Sequence, residues 1–185
     1  MARSKYIDSV LKAAGNKPQS VAWFRNKIKE FGTPKSMDLI RDGKRTSIPT
    51  FGLLNMFVYD PKLKDKLPYY DTFPLVLPIE KYNNGFLGIN LHYLSIPMRI
   101  RLLDRLTETA NNKKFDESTR LNADYSKLKN IDLIKPCLKR YLAGQVKSKF
   151  RKVGADEFII ATLLPVQKFK KQSDNHVFGK SRGMV

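Results

Sequence analysis

The stretch TFPLVLPIEKYNNGFLGINLHYL, residues 72–94, reads as a β-hairpin. Both arms are rich in large apolar and aromatic residues, and Asn84-Gly85 between them is the preferred pair for a tight type I′ turn, whose central residues need positive φ. In the first arm Pro74 and Pro78 remove ladder donors on the same side, so this strand is expected at a sheet edge or sharply bent. In the second, alternation puts Phe86, Gly88, Asn90, His92 and Leu94 on one face. Leu87, Ile89, Leu91 and Tyr93 fall on the other, which is uniformly large and is the expected core face.

Outward from the hairpin, LLNMFVYDP (53–61) predicts a strand ending at Asp60. After the hairpin, Ser95 and Pro97 start a helix in which Ile100, Leu103 and Leu106 face inward while Arg99, Arg101 and Arg105 face solvent. Towards the N-terminus, helices are expected over 5–14, stopped by Gly15, and over 19–31, capped by Ser20. Residues 33–50 read as an irregular arm. On the C-terminal side, Leu138, Tyr141, Leu142, Val146 and Phe150 recur at helical spacing, which predicts an amphipathic helix over 135–152. DEFIIATLLPV (156–166) reads as a strand and the tail as an extended arm. The fold class is therefore α+β, a small antiparallel β-sheet or barrel with a central hairpin, flanked by helices and basic extended arms. Its expected organisation is an N-terminal segment 1–52, a central domain 53–166 and a basic tail 167–185.

The charge is distributed unevenly. The chain has 35 Lys and Arg against 17 Asp and Glu, a net charge of +18. Residues 1–59 hold 11 basic and 4 acidic groups, residues 60–110 hold 7 and 6, and residues 111–185 hold 17 and 7. The excess thus lies on either side of a nearly neutral centre. A field of this sign concentrates polyanions, and nucleic acid is the leading partner class. Residues 135–152 carry seven cations and no acid. Lys139, Arg140, Lys147, Lys149, Arg151 and Lys152 there, with Lys168, Lys170 and Lys171 in the tail, are the expected phosphate contacts, without sequence readout. The aromatics of the neutral block, Tyr69, Tyr70, Phe73, Tyr82, Phe86 and Tyr93, are expected in protein contacts. A base-stacking use of Tyr69 and Tyr70, as in a single-strand-binding module, is the alternative.

Chemistry is poorly supplied. Cys137 is the only cysteine and His92 and His176 the only histidines, so no disulfide framework, zinc cluster or bound cofactor is expected. His92 reads as a structural histidine and Cys137 as a packed one. The best carboxylate set for a metal nuclease is Asp60, Asp71 and Glu80 with Lys81, but it lacks the acidic-x-Lys spacing; Asp-Gly-Lys at 42–44 has the spacing without supporting strands. No phosphate-binding glycine loop and no apolar run of membrane-spanning length occur. The chain is read as non-enzymatic, in a reducing compartment.

One segment carries a resemblance. MFVYDPKLKDKLPYYDTFPLVLPIEKYNNGFLGINLHYLSIPMRIRLLDRL (56–106), followed by LLPVQKF and a basic tail, resembles virion proteins of T-even-like contractile-tailed bacteriophages. The resemblance implies a particle subunit, assembled in the host cytoplasm into a symmetric structure and placed by contacts with portal, neck, tail or baseplate subunits. Its basic flanks would lie against packaged DNA, in a DNA-end protector or neck protein; a tail baseplate component is the alternative. No catalytic residues carry over.

Overall fold

The computed structural model of the protein describes residues 5–185. Helices α1 (Lys5–Ala14), α2 (Val21–Phe31) and α3 (Ser36–Asp42) lead into strands β1 (Lys44–Thr46) and β2 (Leu54–Met56). A short strand β3 (Tyr70–Asp71) precedes the hairpin β4 (Leu75–Tyr82) and β5 (Gly85–Asn90). Helices α4 (Ile96–Thr107) and α5 (Tyr125–Leu128), strands β6 (Leu138–Leu142) and β7 (Phe150–Val153), helix α6 (Phe158–Leu163), strand β8 (Phe169–Lys170) and helix α7 (Asp174–Arg182) complete the chain. The first four residues of the segment 1–52 lie outside the described part.

The main sheet is antiparallel and open, in the order β1-β7-β2-β4-β5-β6. It does not close into a barrel. Strands β3 and β8 form a separate two-stranded ribbon. The hairpin is present, with two local differences. Its connection is Asn83-Asn84, one residue before the expected pair, and neither asparagine has positive φ. Gly85 instead opens β5, where a β-carbon would run into the Tyr141 carbonyl oxygen of β6. Strand β4 is interior rather than an edge, and the register slips between Pro78 and Glu80, so a bulge absorbs the missing proline donor.

The sheet is covered on both faces. Leu54, Leu75, Leu77, Ile89 and Leu91 join Ile7, Val10 and Ile28 of α1 and α2, Leu102, Leu103 and Leu106 of α4, and Ile160 and Leu163 of α6 in the main core. The expected core face of the hairpin is that one. On the opposite face Phe57, Tyr59, Val76, Phe86, Tyr141 and Phe150 form a small aromatic core. Two-sided burial explains why β4 is a continuous apolar run.

Several expectations differ from the structure. Segment 138–153 forms β6 and β7 rather than a helix, because Tyr141 and Phe150 enter the aromatic core while Leu138 packs against the main one. Segment 156–166 forms helix α6 rather than a strand; the Glu157 carboxylate accepts the Gly154 N–H (2.9 Å) where that segment turns into its helical start, and α6 packs against α2 and α4. Within 33–50 lie α3 and the edge strand β1. The tail is folded: the Ser173 hydroxyl caps α7, and Val177 and Ser181 are buried. Arg99 of α4 is fully buried rather than outward.

Candidate nucleic-acid interface

Strand β3 divides two environments. Asp71 points inward into a polar seam, and Tyr70 lines a cleft on the surface.

In the seam, Asp71 Oδ1 accepts the backbone N–H groups of Phe73 (2.9 Å) and Lys168 (3.0 Å). Its Oδ2 accepts Asn90 Nδ2 (3.2 Å) and His92 Nδ1 (2.9 Å). Burial opposes ionisation of Asp71, but the hydrogen bonds from His92 and the two amides outweigh it and hold the carboxyl below its ordinary value. Burial also lowers the pKa of His92, against the pull of Asp71, so the ring is neutral and donates through Nδ1. Arg99 continues the seam: its Nε donates to Leu94 O (2.8 Å), and its terminal nitrogens to His92 O (3.3 Å), Leu164 O (3.3 Å) and Gln167 Oε1 (2.9 Å). Desolvation drops the guanidinium to about 10, still cationic at neutral pH. Every lone pair Asp71 could offer a metal is thus already engaged. Asp60, the other leading acid, pairs with Lys64 (3.0 Å). Among the described residues no three His, Cys, Asp or Glu come together. Cys137 is buried, with its thiol pushed up to about 12 by desolvation.

The cleft lies between β3 and the edge strand β6, with a volume of about 330 Å³. Tyr69, Tyr70, Tyr93, Lys139 and Arg140 line it, and the loop after Pro61 forms a wall. Lys139 Nζ stands 4.1 Å from the centre of the Tyr93 ring. Arg140 lies 3.9 Å over Tyr82 and donates to Asn84 Oδ1 (2.7 Å) at the hairpin tip. The register places Lys170 beside Tyr70 on one face of the ribbon. Lys171 holds the loop down by donating to the carbonyls of Asp65 (3.0 Å) and Leu67 (2.9 Å).

Other expected phosphate contacts are dispersed. Lys147, Lys149 and Lys168 are exposed. Lys152 is half-buried beside Lys44. Arg151 is fully buried and pairs with Glu157 (3.1 Å), so it holds the fold and does not reach solvent. Of the aromatics, Phe73, Phe86 and Tyr93 are buried in this chain's own packing, Tyr82 lies beneath Arg140, and Tyr69 and Tyr70 remain half-exposed in the cleft. The cleft-wall loop adds two exposed cations, Lys62 and Lys66, that the sequence reading passed over. Their signal was the alternation Lys-Leu-Lys-Asp-Lys, hidden by averaging charge over a neutral block.

No helix among the described residues is long and apolar enough to cross a membrane. No curated protein and no solved structure matches the chain significantly. Residues 3–182 match the sequence model of a family described as the phage T4 terminal DNA protecting protein, and over nearly its whole length the chain belongs to that family.

Proposed function

We propose that the protein is a non-enzymatic structural component of the phage virion that holds the ends of the packaged DNA through phosphate contacts without reading sequence. The observation that carries this is a set of cations with no counter-charge. Arg140, Lys147, Lys149, Lys168 and Lys170 are exposed, and among the described residues none forms an ion pair with a carboxylate. Cations left unpaired on a folded surface are available to displace counterions from a phosphate backbone. The family supports DNA ends as the target.

Contacts with other virion subunits fit an apolar groove. Ile48 and Phe51 are exposed, at 72% and 39%, beside a groove of about 440 Å³ floored by Phe86 and Phe150. Exposed apolar surface over an aromatic core suits a neighbouring neck or portal subunit in a symmetric assembly.

Digestion of linear duplex by an exonuclease tests the main reading. The purified protein is expected to slow digestion from the ends, to lose this effect at high salt and to leave the DNA uncut. Unimpeded digestion at saturating protein would contradict it.

A further inference from the structure

We infer that the cleft between β6 and β3 seats one phosphorylated terminal nucleotide, with its phosphate at Lys139 and its base on the ring of Tyr70. This deepens, and rests on, the DNA-end reading above.

Lys139 is the first ground. It is half-buried in the cleft, and no carboxylate lies within ion-pair distance of it among the described residues. Desolvation lowers its pKa, the sign of a cation held without compensation. The one carboxylate lining the cleft, Asp71, already accepts bonds at both oxygens from inside the protein. A group that is costly to keep charged, in a concave site whose one carboxylate is already engaged, is completed by an anionic ligand.

Tyr70 supplies the second ground. Tyr69 and Tyr93 pack against each other and against Phe169, whereas Tyr70 is half-exposed and forms no ring–ring pair among the described residues. An unpartnered ring at the mouth of a cationic cleft is a stacking surface, since every base offers a π-face. The register sets the exposed Lys170 beside Tyr70 on the ribbon, outside the cleft lining.

Size then selects the end of the DNA. About 330 Å³ lies at the small end of ligand sites and admits one nucleotide, not a duplex. Interior nucleotides are paired and stacked on both sides; a terminal one is released at the smallest unpairing cost. A surface that grips any phosphate thereby acquires a preference for termini.

The test uses the full chain and four probes: a linear duplex with 5′-phosphates, the same sequence closed by hairpin loops at both ends, deoxyadenosine monophosphate, and deoxyadenosine. The wild type is expected to favour the open duplex and to bind the monophosphate over the nucleoside. Lys139→Met and Tyr70→Ala should each lose about 10- to 100-fold of the preference for open ends, as for a charge-assisted contact, while closed duplex still binds. Tyr70→Phe, which keeps the ring, should retain it; thermal unfolding confirms that each variant is folded. An unchanged end preference in folded Lys139→Met, or equal losses on open and closed duplex, would overturn the inference and leave DNA binding standing. If the wild type binds neither duplex, the function proposed above fails. Monophosphate binding that Lys139→Met abolishes would then still support the cleft, and absent monophosphate binding would overturn it.

Discussion

Neighbouring residues of β3 face opposite kinds of electrostatics. Behind Asp71, the seam gives Arg99 four acceptors and Asp71 four donors, and its charges exist for the fold. In front of Tyr70, Lys139 has an aromatic face and no acid. The contrast separates two uses of positive charge in a basic chain. The fully enclosed cations serve the fold: Arg99 ties α4 to Leu164 and Gln167, remote in sequence, and Arg151 ties β7 to Glu157 six residues on. Those on the surface with no carboxylate beside them are what a polyanion can use. Net charge does not distinguish the groups; burial and partners do.

Breaking the inner set has the largest expected effect. Arg99→Met leaves the carbonyls of Leu94, His92 and Leu164 without their donor, and should cost about 4 kcal/mol in denaturant unfolding. Glu157→Gln strips the buried Arg151 of its counter-ion and should cost about 3 kcal/mol, again with no specific effect on DNA affinity per folded molecule. A DNA defect in either variant without loss of stability would blur the division between the two sets of cations.

Acid probes the seam differently. His92 is neutral in the fold, with a pKa below its ordinary 6.5, so the unfolded chain binds the extra proton first as pH falls. Its contribution to stability is complete above about 6.5 and is lost below it, by up to about 1.4 kcal/mol per pH unit for one proton. Asp71, also depressed, adds a second loss below its ordinary 3.8. Thermal unfolding between pH 7 and 5 should show the first window, and His92→Gln should remove that dependence whatever its starting stability.

The smallest effect on stability is expected at Lys139. Lys139→Met removes a cation that nothing in the chain neutralises and keeps its apolar stem, so stability should hold or rise by about 0.5 kcal/mol. A loss of several kcal/mol would move Lys139 into the structural set.

How much of this the sequence carried depended on the range of the interactions. The hairpin, α1, α2 and α4 were legible because turn pairs, caps and apolar spacing are local signals. Segment 138–153 was not: Tyr141 and Phe150 fit a helical period, and only pairing with β5 and β1 turns them into sheet residues. Segment 156–166 looked like a strand through its isoleucines, yet tertiary packing against α2 and α4 made it α6. Arg99 read as a surface arginine because its acceptors at Leu164 and Gln167 are remote in sequence. The cleft joins Tyr70 and Lys139 from two strands far apart in the chain, and no spacing in the sequence announces that meeting.

The salt dependence of duplex binding decides whether these cations hold DNA. The logarithm of affinity is expected to fall linearly with the logarithm of salt concentration. Replacing Arg140, Lys147, Lys149, Lys168 and Lys170 by Gln should reduce that slope by up to about 4, in proportion to the phosphates no longer neutralised, with the fold intact. A wild-type affinity indifferent to salt, or a slope unchanged by the five replacements, would contradict the claim that these cations hold the DNA.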